Sequence, residues 1–277
     1  MDVRHLQGKT ELVTGAASGI GRESALAFGR RGANLVICDV DELGLKETEA
    51  ELCSLGRNVF ARRVDVADPD DMRSFAEETS AQVGVVDILM NNAGVGLGAS
   101  FLETSLEDWD RILRINVRGV VHGCHYFVPP MVERGAGGHV VNVSSAAGYL
   151  PAEALSAYVT TKYAVLGLTE SLRSELRRRG IGVTAICPGI VDTPITRSTP
   201  LRGRYAEEGQ REEMVEAYRK RGYGPERVAE NVLKAIGRNR GIAPVTPEAW
   251  IAWYAKRLSP ALVSRLMAWA EQRRLAR

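Results

Sequence analysis

The chain has 277 residues, of which 45% are hydrophobic and 25% are charged, a composition typical of a soluble globular protein. Its length suits one large α/β domain or two small ones. Acidic and basic residues nearly cancel at a formal net charge of +2, so the overall charge gives no indication of a nucleic-acid-binding protein.

The cysteines and the N-terminus bear on the cellular compartment. Cys38, Cys53, Cys124 and Cys187 are scattered and form no CxxC pair, which predicts reduced thiols rather than structural disulfides. The first ten residues contain no apolar signal region, and no apolar run is long enough to cross a bilayer. We therefore expect a cytoplasmic protein, with peripheral membrane contact left open.

Short apolar runs alternate with longer helical patterns along the chain. Several of these runs are apolar almost throughout, which is typical of strands covered on both faces in a parallel sheet. There is no internal repeat and no low-complexity linker, so the alternation predicts one Rossmann-like, doubly wound parallel sheet of about seven strands with helices on both faces. The predicted strands are 11–15, 34–39, 58–66, 85–94, 138–145, 182–189 and 241–246, and the predicted helices are 20–32, 41–55, 69–83, 106–134, 155–180 and 225–237.

Two of the predicted helices begin with capping signals. Asp68 precedes Pro69, which suits the first turn of a helix. Ser105 begins the sequence SLED, a capping-box pattern with Asp108 in the acidic position. The stretch 190–224 carries no such pattern, and a connection of that length is usually a lid, a binding loop or a disordered segment.

The sequence TGAASGIG, residues 14–21, follows the first predicted strand and opens the first predicted helix. Its spacing is G-x-x-x-G-x-G, which differs from the common G-x-G-x-x-G fingerprint. Glycines at such a turn let the backbone approach a pyrophosphate, and the helix N-terminus offers free N–H groups and a positive dipole end. The sequence therefore predicts a dinucleotide-phosphate site.

Asp39 ends the second predicted strand. A carboxylate at that place can accept hydrogen bonds from a ribose diol and would repel a 2′-phosphate. The alternative is that Asp39 only caps a turn. The binding interpretation predicts NAD rather than NADP.

Tyr158 stands four residues before Lys162 in the sequence SAYVTTKYAV. On a helix these two side chains share one face, which brings the ammonium near the phenol. Three further fragments, NNAG, VNVSS and PGIVDTP, follow the fourth, fifth and sixth predicted strands, where open α/β sheets bind ligands. We expect all of them to meet in one crevice.

Together these fragments resemble the short-chain dehydrogenase/reductase family in its compact one-domain form, over the chain up to about residue 245. The resemblance implies an NAD(P)-dependent oxidoreductase acting on CH–OH groups. It implies that Tyr158 is the catalytic acid/base, Lys162 its partner, Ser145 the hydroxyl that polarises the substrate oxygen, and Asn116 the anchor of a proton-relay water. Besides Tyr158 and Lys162, the positions that match cofactor contacts are Gly15, Ser18, Gly19, Ile20, Gly21, Asp39, Asp65, Val66, Asn92, Ala93, Gly94, Pro188, Gly189, Ile190 and Thr193.

The implied roles suit the chemistry of these side chains. A free tyrosine has a pKa near ~10, too high for an efficient base at neutral pH. A nearby ammonium and an oxidised nicotinamide both favour the phenolate. The serine hydroxyl can donate a hydrogen bond to the developing oxyanion.

Several neighbouring side chains are excluded from these roles. Adjacent residues of a strand point to opposite faces, so only one of Ser144 and Ser145 should face the crevice, and the family spacing selects Ser145. Tyr163 turns to another face of its helix and is interpreted as a packing residue. The histidines show no metal-ligand spacing, so no metal is predicted; they include His122, His125 and His139.

In the family, the stretch 190–224 corresponds to a mobile substrate lid. We expect residues 1–246 to form a single dinucleotide-binding and catalytic domain, and 247–277 to form a C-terminal helical extension. The predicted pocket favours an apolar secondary alcohol or ketone that is steroid-, retinoid-, fatty- or polyketide-like. Its predicted lining comprises Leu150, Pro151 and Leu155 with the lid residues Ile195, Leu201, Tyr205, Met214 and Tyr218.

The sequence leaves alternatives open for the activity of the chain and for the position of its C-terminal tail. An NADPH-dependent biosynthetic ketoreductase and a catalytically silent dinucleotide-binding scaffold protein share the same fold. The tail, with Trp250, Trp253 and Trp269 among basic residues, fits either a helix docked on the domain, the lid or a partner subunit, which we favour, or an interfacial membrane helix. The resemblance implies a homodimer or homotetramer, and no nucleic-acid partner is expected.

Overall fold

The computed structural model describes residues 2–261, 263 and 265 of the chain. Seven strands form one sheet in the order β3-β2-β1-β4-β5-β6-β7, and every neighbouring pair is parallel. The predicted Rossmann-like class is therefore confirmed. The strands are β1 (Thr10–Thr14), β2 (Asn34–Asp39), β3 (Val59–Arg63), β4 (Ile88–Asn91), β5 (Gly138–Val143), β6 (Ile181–Cys187) and β7 (Ile242–Pro244).

Helices cover both faces of the sheet, so that most strand positions are buried. Leu12 of β1 packs in a cluster with residues of α3, α5 and α6, whereas Val13 packs in a second cluster with residues of α1, α2 and α9. This alternation places one core layer on each face. The helices are α1 (Gly19–Arg30), α2 (Glu42–Ser54), α3 (Pro69–Val83), α4 (Leu106–Leu113), α5 (Gly119–Arg134), α6 (Ser156–Leu176), α7 (Ile195–Ser198), α8 (Gln210–Arg221), α9 (Pro225–Gly237) and α10 (Pro247–Leu258).

Both predicted N-cap residues are confirmed, although the Asp108 carboxylate of the predicted capping box pairs with Arg202. The Asp68 carboxylate accepts a hydrogen bond from the Asp70 amide at 2.9 Å, with Pro69 in the first turn of α3. The Ser105 hydroxyl accepts one from the Asp108 amide at 3.1 Å at the start of α4. Each cap satisfies a helix N–H that has no partner within the helix.

Several predicted boundaries of strands and helices were wrong. The strand predicted over 58–66 ends at Arg63, and the one predicted over 85–94 covers only Ile88–Asn91. In both cases apolar residues lie just outside the strand, Val64 and Val66 after β3 and Val85 and Val86 before β4. The helix predicted over 106–134 is divided by a π-helical turn, Arg114–Arg118, which carries Asn116. The stretch 190–224, predicted as a connection, contains α7 and α8.

The described part of the C-terminal tail packs on the domain. The Tyr149 hydroxyl donates to the Ala249 carbonyl at 2.8 Å, and the Trp253 ring meets the Tyr149 ring edge-on at 5.1 Å between centroids. Trp269 lies outside the described residues. Among the helices that the structure describes, none has the length and apolar character needed to span a bilayer.

Glu11 is an unusual residue in the centre of the sheet. It is fully buried in β1, and within the described chain neither of its carboxylate oxygens has a protein hydrogen-bond partner. Burial raises its pKa well above the usual range, the Asp87 carboxylate raises it further, and Lys9 opposes this only in part. Ionising such a group without a partner costs free energy.

This burial gives a prediction about stability and pH. The pKa of Glu11 is higher in the folded than in the unfolded state, so the unfolded state releases the proton first and stability falls as pH rises. We expect the free energy of unfolding to decline as pH rises above the usual pKa of a glutamate, and Glu11→Gln to remove part of that decline. Urea unfolding at several pH values measures it, with the exposed Glu77→Gln as control. An identical pH dependence in Glu11→Gln and the native chain would exclude this role.

Candidate active site

The candidate site lies where the chain order of the sheet reverses. β1 has β2 on one side and β4 on the other, so the loops after β1 and β4 separate and leave a crevice at their carboxyl ends. The loops after β2, β5 and β6 end at the same edge because all strands are parallel. The fragments predicted to converge therefore lie at one edge of the sheet.

The glycine loop is packed against the loop after β4. A Cβ on Gly21 would lie 2.0 Å from the Gly15 carbonyl oxygen, and one on Gly15 would lie 2.8 Å from the Ala93 Cα, so neither position has room for a side chain. Gly15 and Gly19 also have positive φ values of 67° and 55°. Asn92 Nδ2 donates to the Gly15 carbonyl at 3.0 Å, which fixes the loop to the strand beside it.

The N-terminus of α1 is suited to an anion. Its N-cap residue, Ser18, is exposed and makes no side-chain capping hydrogen bond, and the first turn contains no acidic residue. The helix N–H groups are thus directed towards the crevice without a side-chain cap at Ser18. These features fit the phosphates of a dinucleotide.

Asp39 does cap a turn, as the alternative interpretation proposed. Its carboxylate accepts from the Ala17 amide at 2.9 Å and from the Asp41 amide at 3.0 Å. The side chain remains half-buried at the carboxyl end of β2, directly beside the glycine loop. Each carboxylate oxygen has further acceptor capacity, so the capping role and a ribose contact are compatible.

The other predicted cofactor positions flank the crevice. The Asp65 carboxylate accepts from the Ala67 amide at 2.9 Å, and Val66 is buried beside Gly119. On the opposite side, Thr193 lies next to Gly19, with its Cβ 3.5 Å from the position of a Cβ on that glycine. Ile190 is exposed and follows Pro188 and Gly189 at the end of β6.

Ser145, Tyr158 and Lys162 form one cluster. The Ser145 hydroxyl lies close enough to the Tyr158 phenol to lower the pKa of the phenol, and the Lys162 ammonium lies 5.5 Å from the centroid of the phenol ring. Lys162 is buried and donates to the Val143 carbonyl at 3.0 Å. The i, i+4 spacing on α6 therefore places the two ionisable groups on one face, next to the end of β5.

Burial dominates the electrostatics of this cluster. It raises the pKa of Tyr158 to about 12, although the hydrogen bond from Ser145 lowers it in part. It also lowers the pKa of Lys162 to about 8. The phenol is neutral at pH 7, and so it is a proton donor.

Asn116 and Ser144 have structural contacts. The Asn116 side chain is fully buried; it accepts from the Val95 amide at 2.8 Å and donates to the Thr161 hydroxyl at 3.2 Å. The π-helical turn around it is a feature often found at functional sites. The Ser144 hydroxyl donates to the Lys162 carbonyl at 2.8 Å, so it anchors α6 and does not face the crevice with Ser145.

An apolar wall adjoins the Tyr158 phenol. Its core consists of Leu97, Ala99, Ile112 and Ala157, all buried. Trp109, Val95 and the Tyr158 ring pack against that core. Of the residues predicted to line the pocket, Leu150 instead packs in a separate cluster with Tyr149 and Trp253.

The 190–224 segment is fastened to this wall. The Gly98 amide donates to the Pro200 carbonyl at 2.9 Å, and the Arg202 guanidinium makes a bidentate contact with the Asp108 carboxylate, both bonds at 2.9 Å. Tyr218 of α8 comes close enough for its phenol to raise the pKa of Tyr158. The segment therefore lies next to the candidate catalytic cluster.

Comparison with known proteins places this fold and site in a family. The sequence profile described as short chain dehydrogenase matches residues 9–202. A Burkholderia phymatum short chain dehydrogenase/reductase, crystallised in complex with NAD, superposes with a TM-score of 0.84 and 32% identity, over 93% of this chain and 96% of that one. The chain belongs to the short-chain dehydrogenase/reductase family. Members of this family are NAD(P)-dependent oxidoreductases acting on CH–OH groups.

Two further relatives differ in length and cofactor. The chain is 45% identical over 252 residues to a Mycobacterium tuberculosis protein named probable oxidoreductase EphD, but that match covers 90% of this chain and only 43% of the relative. The chain thus spans less than half the length of that relative. A variant of actinorhodin polyketide ketoreductase, crystallised with NADPH, superposes with a TM-score of 0.78 and 32% identity, over 87% of this chain and 97% of that one.

The structure also shows where Tyr163 and His139 lie, and it reveals two side chains that were not predicted. Tyr163 is 41% exposed, so it is a surface residue of α6 rather than a packing residue. The His139 ring nitrogen is hydrogen-bonded to the Thr184 hydroxyl at 2.7 Å, and the described residues contain no cluster of possible metal ligands. Tyr149 and Glu248, which join the tail to the loops of the crevice, were not predicted, because their partners are distant in sequence.

Proposed function

We propose that this chain interconverts apolar secondary alcohols and ketones, with NAD(H) preferred over NADP(H). The observation that carries the proposal is the placement of the Tyr158 phenol over the buried Lys162 ammonium and against the apolar wall, with the Ser145 hydroxyl nearby. A substrate oxygen at this position would meet two hydroxyl donors. Its carbon skeleton would lie against apolar side chains.

In this proposal each side chain has a separate task. The bound nicotinamide supplies or accepts the hydride. In the reductive direction Tyr158 gives its phenolic proton to the substrate oxygen, and Ser145 donates a hydrogen bond to the same oxygen. The Lys162 ammonium is held by the Val143 carbonyl and stabilises the resulting phenolate. Asn116, in its π-helical turn, is assigned to anchoring the proton relay.

The proposed cofactor contacts follow the crevice. The glycine loop and Ser18 hold the pyrophosphate, Asp39 the adenosine ribose, and Asp65 and Val66 the adenine. The segment after β6, with Ile190 and Thr193, holds the nicotinamide side. The NADPH bound to the actinorhodin relative supports the rival preference, whereas the carboxylate at Asp39, next to the Ala17 amide, supports NAD.

Asp39 provides a test of this preference. We expect Asp39→Asn to retain the hydrogen bonds to the loop but to lose the charge that repels a 2′-phosphate. The ratio of kcat/KM for NADH to that for NADPH should fall by about tenfold, mainly because NADPH binds better. Steady-state kinetics with both cofactors measure this ratio, and Asp41→Asn is the matched control. If native enzyme already favours NADPH, the assignment of Asp39 is wrong.

The substrate class is inferred from the apolar wall and from the 190–224 segment. We assign this segment as a substrate lid because it is fastened to the wall at Gly98 and Asp108. A lipophilic polycyclic or fatty ketone suits the wall, and the polyketide named in the actinorhodin relative belongs to that class. No basic residue is among those that form the wall within the described chain.

The domain assignment and the assembly state remain proposals. We assign residues 1–246 to one catalytic domain and 247–277 to a C-terminal extension. A homodimer or homotetramer remains a prediction from the family.

A spectrophotometric screen at about 340 nm, the absorbance of reduced nicotinamide, tests the proposed function. Apolar ketones and alcohols are each offered with both cofactors. We expect turnover with a lipophilic ketone and NADH. Dinucleotide binding without turnover of any substrate would favour the silent scaffold instead.

A further inference from the structure

The two ends of the 190–224 segment meet at one point. The Asp192 amide donates to the Tyr223 carbonyl at 3.0 Å, so residues 193–222 leave the domain and return to it at the same place. One stem contains Ile190 and Asp192. The other stem is the end of α8 at Arg221, followed by Gly222 with a φ of 63°.

Glu248, in the first turn of α10, contacts both stems. One carboxylate oxygen accepts from the Ile190 amide at 3.3 Å, and the other forms an ion pair with the Arg221 guanidinium. The fit is close, since a Cβ on Gly189 would lie 2.7 Å from Glu248 Oε1. A single side chain therefore joins the segment after β6 to the end of α8.

The helix that carries Glu248 is itself held firmly. The buried Thr246 caps α10, and the Tyr149 hydroxyl donates to the Ala249 carbonyl at 2.8 Å. Tyr149 lies four residues after Ser145, in the turn that leaves β5. The start of α10 is thus fixed to the loop of the candidate catalytic serine.

The charge of Glu248 is maintained at neutral pH. Burial opposes its ionisation, but hydrogen bonds from Thr246, from its own amide and from Ile190, together with the charge of Arg221, hold its pKa below the usual range. Glu248 and Arg221 are 39% and 35% exposed, so their attraction is screened in part by solvent.

We propose that Glu248 is a positioning residue that fastens both stems of the lid and thereby sets how tightly the enzyme holds its ketone substrate. The inference rests on the proposed function, because it requires the 193–222 excursion to cover the substrate. Glu248 touches no reacting atom in this scheme. It acts through Ile190 and Arg221.

Three variants separate the two contacts. Glu248→Ala removes both, Glu248→Gln keeps an acceptor for the Ile190 amide but loses the charge, and Arg221→Met loses only the ion pair. We expect KM for the ketone to rise about tenfold in Glu248→Ala and about threefold in the other two, with kcat changed less than about twofold. The melting temperature should stay close to that of native enzyme. Glu216→Ala, which breaks only ion pairs within α8, is the matched control and should leave KM unchanged.

Hydrogen–deuterium exchange provides a readout that needs no substrate. We expect peptides covering 193–222 to exchange several-fold faster in Glu248→Ala than in native protein or in Glu216→Ala, with the sheet unaffected. Faster exchange without any ketone turnover would support the fastening and contradict only the proposed function. Native KM and native exchange in Glu248→Ala would overturn the inference, as would a loss spread over kcat, dinucleotide affinity and melting temperature together.

Discussion

Replacing Tyr158 with phenylalanine is expected to lower kcat for ketone reduction by about a thousandfold. The substitution removes only the hydroxyl, so the ring keeps its position above Lys162 and its place against the apolar wall. The proton donor is lost, along with the hydroxyl that contacts Ser145. Dinucleotide affinity and melting temperature should stay near native values.

Tyr163→Phe is the matched control for this variant. Tyr163 lies on the same helix, one residue past Lys162, but it is 41% exposed and was not brought into the cluster. It should retain native kcat. Single-turnover kinetics at 340 nm would separate the chemical step from product release. Full activity in Tyr158→Phe would refute the assignment of the acid.

Replacing Gly21 with alanine is expected to weaken dinucleotide binding by about ten- to hundredfold. The new methyl carbon would lie 2.0 Å from the Gly15 carbonyl oxygen and 2.4 Å from Asn92 Nδ2. Both of these atoms are held in place, since they are hydrogen-bonded to each other at 3.0 Å. The glycine loop must therefore move away from α1, and the site for the pyrophosphate changes shape.

Fluorescence titration with NADH measures this loss, and Gly167→Ala controls for the substitution itself. Gly167 is an exposed residue of α6 with no atom within 4 Å of the added carbon. It should bind NADH like native protein and be slightly more stable, because alanine favours a helix. If Gly21→Ala binds NADH with native affinity, the assignment of the loop is wrong.

The arrangement of the crevice was predictable because parallel strands impose it. Once the apolar runs are identified as buried parallel strands, their carboxyl ends must share one edge. TGAASGIG, VNVSS and PGIVDTP each follow such a run directly, so their convergence did not depend on exact boundaries. The pairing of Tyr158 with Lys162 was predictable for a similar reason, since it needs only the helical period.

Other features depend on contacts that no local pattern records. Glu248 is 58 residues from Ile190 and 27 from Arg221, and nothing near it in sequence indicates either partner. The raised pKa of the Tyr158 phenol follows from tertiary burial, which outweighs the opposing effect of the Ser145 hydroxyl. The i, i+4 spacing predicts that Lys162 lies near Tyr158, but it does not predict how far the phenol is removed from water.

The helices of the lid were missed because their composition is polar. The sequence of α8, QREEMVEAYRKR, has no clear apolar stripe, so periodicity did not distinguish it from a loop. Its Glu, Arg, Lys and Ala residues nevertheless favour a helix intrinsically. The π-helical turn at Asn116 was hidden for the opposite reason, since it continues an apolar helical pattern without interruption.

In the proposed reaction, hydride passes between a nicotinamide and a carbonyl carbon held beside Tyr158 and Ser145. The most direct test uses NADH deuterated at the transferable position, an apolar ketone from the screen, and mass spectrometry of the alcohol. We expect one deuterium on the carbinol carbon of each product molecule. Product formation should be about a thousandfold slower in Tyr158→Phe than in native enzyme. Alcohol without deuterium, or equal rates in the two proteins, would contradict it.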